Sequence, residues 1–137
     1  MGADQPSDAD DLFPDYLVEC DEHLTGARNL LLRLEADPPA ARREQLDELF
    51  RHFHTPKGLS GIAGVGAAER LAHQLEEYLG AVRKGRAGLT ADGVGALVDG
   101  AAALEAVIAA RRDGRPPPET GPLLARVEAL TARGAPA

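Results

Sequence analysis

Apolar residues that recur every three or four positions limit what this chain can fold into more than any other feature of its sequence. Spaced in this way, they lie on one side of an α-helix. The first series runs through residues 10–36, and similar series occupy residues 67–83, the stretch after Thr90, and residues 122–133. The members of the first series are Phe13, Leu17, Cys20, Leu24, Ala27, Leu31 and Leu34.

Prolines and glycines separate these series. Asp37 is a plausible N-cap, and the two prolines after it start a second helix at residues 39–63. Gly64 and Gly66 flank the next turn, the run KGRAG ends the third helix, and Thr90 is the predicted N-cap of the fourth. Because the connections are short, neighbouring helices should run antiparallel.

We therefore predict an all-α fold, an antiparallel up-and-down four-helix bundle with a short fifth C-terminal helix. The bundle should cover residues 10–114, after a flexible N-terminus at residues 1–9. Residues 115–137 should form a proline-rich linker and the fifth helix. The two Tyr, three Phe and absent Trp imply a core made mostly of Leu, Val and Ala, which favours helices over a sheet.

Charge and cysteine content narrow the class of function. A net charge of −7 with no basic stripe argues against nucleic-acid binding. The single cysteine, Cys20, cannot form an internal disulfide, and its phase with the first apolar series predicts a small buried hydrophobe rather than a nucleophile. No apolar run approaches the roughly 18 residues of a membrane span, and no signal peptide is visible. We expect a cytoplasmic protein without a membrane partner.

One segment, residues 49–64 with the sequence LFRHFHTPKGLSGIAG, carries the candidate chemistry. On a helix, His54, Lys57, Gly58 and Gly61 lie at positions i, i+3, i+4 and i+7 and share one face. Interior helix glycines cost about 0.5–1 kcal/mol each relative to alanine. Two of them beside a histidine suggest that the space above its ring must stay open for a bulky group, such as a phosphoryl group with its donor or acceptor protein.

The segment resembles part of a known protein family. Its pattern is H-T-x-K-G-x-x-G, preceded by L-F-R and followed in the third predicted helix by L-A-H-x-L-E. This is similar to the histidine phosphotransfer (HPt) domain, most of all to the N-terminal HPt domain of CheA-type chemotaxis histidine kinases. The resemblance covers roughly Asp11 to Gly114. It implies a two-component phosphorelay in which His54 accepts phosphate from an ATP-bound kinase domain and passes it to an aspartate of a response-regulator receiver domain.

The resemblance also implies which residues assist. In the family, the histidine and glutamate of L-A-H-x-L-E hydrogen-bond around the active imidazole, and here they match His73 and Glu76. A carboxylate that accepts from one ring nitrogen makes the other a better nucleophile, and Glu76 is our choice for that partner. Lys57 can offset the roughly two negative charges of an added phosphoryl group. Thr55, next to His54, belongs to the same motif.

Pro56 departs from the family pattern, which usually has an aliphatic residue at this position. Inside a helix, proline removes the hydrogen bond to the carbonyl of His52 and clashes with that turn, at a cost of about 3 kcal/mol. We expect a kink or a local widening of the helix between His52 and Pro56. Such a distortion could re-aim His54.

Four other residues with ring side chains, two phenylalanines and two histidines, are predicted to have no role in the chemistry. Phe50 and Phe53 should point away from His54 as core anchors. His52, about 200° around the helix from His54, should be solvated. His23 follows Glu19 by four residues and is interpreted as a surface ion pair.

The chain contains no P-loop or glycine-rich phosphate loop, so it should be a phosphocarrier and not itself a kinase. No cofactor is expected on it, since ATP and Mg²⁺ would belong to the partner kinase domain. Two alternatives remain: a degenerate HPt bundle, disabled by Pro56, that only binds proteins, and a metal site formed by His54, His73 and Glu76, which would lack the usual Glu-x-x-His pairs. We expect a monomer, either the N-terminal piece of a larger kinase or a free-standing HPt protein.

Overall fold

The computed structural model describes residues 8–133, and the side chains from residue 12 onward. Within that part the chain forms five α-helices and no strand, which confirms the all-α prediction. The helices are α1 (Asp8–Leu34), α2 (Arg43–Ala63), α3 (Gly66–Arg83), α4 (Ala91–Arg112) and α5 (Gly121–Arg133). The flexible segment predicted at residues 1–9 lies outside the described residues, except that α1 already begins at Asp8.

The first four helices form the bundle. Each packs against the next along the chain, and α1 and α4 close the ring. The fifth helix docks on α3 and α4 and buries Val127 and Leu130. The sequence does not determine this docking, because a proline-rich tether precedes the helix.

The core is mainly aliphatic, as the composition predicts. Cys20 is 1% exposed, and burial raises the pKa of its thiol to about 11, which fits a small hydrophobe and not a nucleophile. Phe53 is fully buried, as predicted. The largest fully buried side chains are Tyr78, Phe53, Leu24, Leu30, Leu31, Leu49, Leu71, Leu75, Leu79, Leu97, Leu104 and Val94.

Glycines end three of the helices in the same way. Gly64, Gly85 and Gly114 have positive φ angles of 75°, 75° and 68° directly after α2, α3 and α4 or one residue later. In each case the next residue donates its backbone N–H back to the last helical turn, as Val65 does to the carbonyl of Ser60 at 2.9 Å. This is the Schellman ending, which glycine favours because it has no Cβ to clash in the left-handed region.

The start of α2 differs from the prediction. Asp37 caps only a short 3₁₀ turn at Pro38–Ala40, without a side-chain hydrogen bond, and α2 begins at Arg43. The backbone N–H of Arg42 is satisfied by Gln45 Oε1 at 2.9 Å. Thr90, in contrast, caps α4 as predicted, because its Oγ1 accepts from the N–H of Gly93 at 3.0 Å.

Two glycines of α4 allow close contact with α3. A Cβ added at Gly100 would lie 2.5 Å from Leu75 Cδ2, and a Cβ at Gly93 would overlap the hydroxyl of Tyr78. That hydroxyl donates to the carbonyl of Gly88 at 2.9 Å. The glycines that weaken the helix propensity of α4 therefore let two large side chains of α3 fit against its backbone.

The apolar composition of α4 corrects the expectation that no segment approaches the length and apolar character of a membrane span. Among the described residues it is the single helix long and apolar enough to cross a membrane, with a mean hydropathy of 1.6 over the window concerned. However, 56% of that window is buried inside the bundle. Since α4 packs against α1, α3 and α5, its apolar character matches that of a core helix.

Replacing Gly100 tests the close contact. Gly100→Ala should lower the free energy of unfolding by about 1–2 kcal/mol, because overpacking against the buried Leu75 outweighs the gain in helix propensity. Gly58→Ala is the matched control: an added Cβ there meets nothing within 4 Å, so this change should raise stability by about 0.5–1 kcal/mol. Urea unfolding measures both, and equal stabilisation by the two variants would contradict the proposed contact.

Candidate functional site

Three predicted site residues meet across the α2–α3 interface. His54 and Lys57 lie on α2, and Glu76 lies on α3. His54 Nδ1 is 2.7 Å from Glu76 Oε2, and Lys57 Nζ donates to Glu76 Oε1 at 2.8 Å. The side chain of Glu76 is only 13% exposed, whereas that of His54 is 59% exposed. One largely shielded carboxylate thus holds a solvent-facing imidazole and a cation together.

The carboxylate determines which nitrogen of His54 can react. Ionised Glu76 can only accept a hydrogen bond, so Nδ1 of His54 carries the proton. In the neutral ring, Nε2 then keeps its lone pair. The exposed nitrogen is therefore the nucleophilic one, and the carboxylate stabilises the positive charge that grows on the ring when Nε2 forms a bond.

The electrostatics of Glu76 maintain this state at neutral pH. Burial by itself raises the pKa of the carboxyl group, but the hydrogen bonds and charges of Lys57 and His54 outweigh burial. The net result is a pKa below the ordinary value of 4.5. Glu76 is accordingly a charged acceptor over the whole neutral range.

An aromatic ring supports the imidazole from one side, so the expectation that Phe50 points away from His54 is wrong. Phe50 lies one turn before His54, and their rings are stacked with centroids 5.8 Å apart and planes inclined by 14°. The guanidinium of Arg83 lies 4.3 Å from the Phe50 centroid, and its Nε donates to Asp47 Oδ1 at 2.9 Å. The i, i+4 spacing of Phe50 and His54 was the available signal that they share a face.

The two glycines of the motif have different roles. An added Cβ at Gly58 would meet no atom within 4 Å, so the space beside His54 is open there, as predicted. A Cβ at Gly61 would instead lie 2.7 Å from Glu69 Oε2 of α3. The expectation that Gly61 leaves room for a ligand is therefore wrong, because its missing side chain makes room for a neighbouring helix.

Two further predicted residues are near the site without joining its hydrogen bonds. His73 is half exposed, with Nε2 3.7 Å from Glu77 Oε1, and it lines a groove that also contains Lys57. Among the described side chains, no hydrogen bond joins it to His54 or Glu76, so the pairing expected from the family resemblance is not formed. Thr55 is half-buried beside His54.

The helix continues through Pro56. Every residue from Arg43 to Ala63 is α-helical, so the predicted local widening is absent. Pro56 is buried, and Lys57, the next residue, still donates a hydrogen bond to Glu76. A bend of the axis remains a prediction, but Pro56 does not prevent His54 from reaching its carboxylate.

Outside the site, two histidine interpretations need correction. His52 is not solvated: its side chain is 16% exposed and its Nδ1 lies 3.0 Å from Nδ1 of His23 on α1. His23 does lie near Glu19, at 3.9 Å, but its side chain is only 21% exposed. Gly26 of α1 provides the space that the ring of His52 occupies.

The alternative metal site is not assembled. His54 and Glu76 are paired, but the imidazole of His73 faces Glu77. Over the part of the chain that the structure describes, no group of three or more His, Cys, Asp or Glu residues is arranged to hold a metal ion.

The lowered pKa of Glu76 makes its contribution to stability depend on pH. A carboxylate with a lowered folded-state pKa stabilises the fold fully above its ordinary pKa of 4.5, and this stabilisation is lost as pH falls through the folded-state value. Glu76→Gln should therefore lower the free energy of unfolding by about 1–2 kcal/mol at pH 7 and by much less at pH 3. Urea unfolding at the two pH values measures the difference.

Glu77→Gln is the control for this prediction. Glu77 is the next residue on α3, but its side chain is 56% exposed. Its replacement should change stability by less than about 0.5 kcal/mol at both pH values. A Glu76→Gln deficit that stays constant from pH 7 to pH 3 would show that the carboxylate is not held in its charged form.

Comparison with known proteins agrees with this geometry. Residues 11–114 match the family described as the Hpt domain. The chain is 37% identical over 99 residues to the chemotaxis protein CheA of Halobacterium salinarum, and 33% identical over 99 residues to that of Bacillus subtilis. In both cases the aligned part is 72% of this chain. The same part covers only 14% of the relative's length.

A solved structure shows the same fold. It is described as the phosphorylated P1 domain of CheA3 in complex with CheY6 from R. sphaeroides. The two structures share 25% sequence identity and superpose with a TM-score of 0.80, over 90% of this chain and 98% of the other. The matched residues include the whole α2–α3 site, and the chain belongs to the Hpt domain family.

Proposed function

We propose that this domain is the phosphocarrier of a chemotaxis-like two-component system, with His54 as the residue that carries the phosphoryl group. The observation that carries the proposal is the 2.7 Å contact between His54 Nδ1 and the charged, largely shielded Glu76. It leaves Nε2 as a lone-pair nitrogen on a ring that is 59% exposed. A carrier needs this combination, because the nitrogen must be both nucleophilic and reachable by two different proteins.

In the first step, Nε2 of His54 attacks the γ-phosphorus of ATP bound to a kinase domain. The N–P bond forms while the bond from that phosphorus to the bridging oxygen breaks, and ADP leaves with the electron pair. Glu76 stabilises the positive ring through Nδ1–H. In the second step, an aspartate carboxylate of a receiver domain attacks the phosphorus, and the N–P electron pair returns to Nε2. ATP and Mg²⁺ would be held by the kinase domain.

A cation beside His54 supports the proposal. Lys57 lies one helical turn after His54 and donates to the same carboxylate, Glu76, at 2.8 Å. Two further cations, Lys84 and Arg86, line a cavity that Phe50, Glu76 and Glu77 also border. An incoming phosphoryl group brings roughly two negative charges, which Lys57 would offset.

An apolar cleft between α1 and α2 supports a protein partner. Ile62 lies eight residues after His54, about 12 Å along the helix, and is 67% exposed. With Leu12, which is 46% exposed, it borders a cleft between α1 and α2 that is also lined by Leu59 and Ala63. Exposed apolar side chains that are grouped together are typical of a docking surface. We propose that a receiver domain binds there; CheY6 is the partner in the similar solved structure.

Intact-mass spectrometry tests the phosphorylation. After incubation with ATP, Mg²⁺ and a CheA-type kinase core, the wild-type domain should gain one phosphoryl group that is labile in acid and stable in base. His54→Gln should gain none. His73→Gln is the matched control, because His73 is 50% exposed and also lies one turn from a glutamate, yet it should be phosphorylated like the wild type.

Adding a receiver domain to the phosphorylated protein should remove the group. If a kinase core that is active on another HPt domain leaves the wild type unmodified, the carrier proposal fails. The degenerate bundle that only binds proteins would then be the better description, with Pro56 as the first residue to replace.

A further inference from the structure

A pair of histidines joins α1 to α2 on the side of α2 away from His54. Nδ1 of His23 and Nδ1 of His52 are 3.0 Å apart, with ring centroids at 5.2 Å and planes inclined by 61°. Both side chains are largely shielded, with 21% and 16% exposed. The phosphotransfer chemistry uses neither residue.

Each ring has a carboxylate near its other nitrogen, but only that of Glu48 is within hydrogen-bond distance. Glu48 Oε2 lies 3.3 Å from Nε2 of His52, and Glu19 Oε2 lies 3.9 Å from Nε2 of His23. Both glutamates precede their histidine by four residues, so the arrangement on α1 repeats that on α2. A Cβ at Gly26 would lie 2.8 Å from the ring of His52, so the backbone of α1 is open where this ring must sit.

The contact between the rings is a single hydrogen bond that a metal can replace. Glu48 accepts from Nε2 of His52, which leaves a lone pair on Nδ1 of that ring. Glu19 lies beyond hydrogen-bond distance of His23, so Nδ1 of His23 can carry a proton and donate it to Nδ1 of His52. When His23 takes its other tautomer, with the proton on Nε2, both Nδ1 lone pairs face the same space, and two neutral imidazoles are good ligands for borderline-soft divalent metals.

We propose that His23 and His52 form a two-histidine site for a divalent transition metal, with Zn²⁺ as the reference ion, that links α1 to α2. Two Zn–N bonds of about 2.0–2.1 Å at a tetrahedral angle separate their nitrogens by about 3.3–3.4 Å. The observed 3.0 Å needs to widen by only a few tenths of an ångström. Glu48 would then be the carboxylate that holds the metal-bound imidazole of His52 in place, while Glu19 lies 3.9 Å from Nε2 of His23.

Water completes the coordination. In the described part of the chain no third His, Cys, Asp or Glu joins the pair to make a larger metal site. The site is therefore open, and its affinity should be lower than that of a structural zinc site with four protein ligands. Because a metal bound only to the folded protein stabilises it, occupancy should strengthen the α1–α2 contact.

Isothermal titration and thermal unfolding with ZnCl₂ test the site in the intact chain. The wild type should bind one Zn²⁺ and gain several degrees in Tm. His23→Gln and His52→Gln should each weaken binding by about tenfold or more and abolish the gain in Tm. Glu48→Gln should weaken binding while leaving both ligands present, an effect that a purely structural contact between the rings would not produce.

His73→Gln is the matched control, because it removes a histidine that has a glutamate one turn away but no second imidazole. It should bind Zn²⁺ as the wild type does. In case a variant fails to fold, ¹⁵N NMR of the wild type gives an independent test: Zn²⁺ should shift the Nδ1 resonances of His23 and His52. Undiminished binding by the His52→Gln protein, no binding by the wild type, or shifts confined to His54 would each overturn the proposal.

Discussion

The hydrogen bond between Glu76 and His54 is the interaction on which the chemistry of this domain depends. It crosses from α3 to α2, it sets the tautomer of the reactive ring, and the same carboxylate holds Lys57 through its other oxygen. Since Glu76 is nearly buried, neither contact is strongly screened by water. The imidazole itself remains mostly exposed, so one nitrogen is held by the fold while the other faces solvent.

The bundle provides the close and fixed helix spacing that this bond requires. Gly61 lets Glu69 of α3 approach the backbone of α2, and Gly100 of α4 does the same for Leu75. On the outer side, Phe50 stacks on His54 and is itself covered by Arg83, which Asp47 holds in turn. A reactive histidine on the surface is thus supported through α3 from the core and through aromatic packing from the side.

Most of the fold can be predicted from apolar spacing, because a bundle of amphipathic helices has few other ways to bury its apolar faces. The bounds of α3, α4 and α5 follow from glycines and from the Thr90 cap. The start of α2 does not, because Asp37-Pro38-Pro39 is equally suited to a separate 3₁₀ turn. The docking of α5 depends on long-range packing after a tether, which no local pattern encodes.

The site could be predicted only in part. His54, Lys57 and Glu76 follow from helical spacing and the family resemblance, and the structure brings them together. His73 does not join them, since the side chain of a half-exposed residue can turn to Glu77 instead. The contact between His23 and His52 depends on how α1 and α2 are rotated against each other, which spacing along one helix cannot reveal. The prediction that Phe50 points away from His54 was wrong, although the i, i+4 spacing of the two residues indicates that they share a helix face.

The tautomer of His54 tests the central claim most directly. Long-range ¹H–¹⁵N correlation spectra of the ¹⁵N-labelled domain at neutral pH distinguish a protonated ring nitrogen from one with a lone pair. Our interpretation predicts that Nδ1 of His54 is protonated and Nε2 is not, and that Glu76→Gln removes this preference. A wild-type ring protonated at Nε2 alone would contradict it, because the exposed nitrogen would then have no lone pair with which to accept a phosphoryl group.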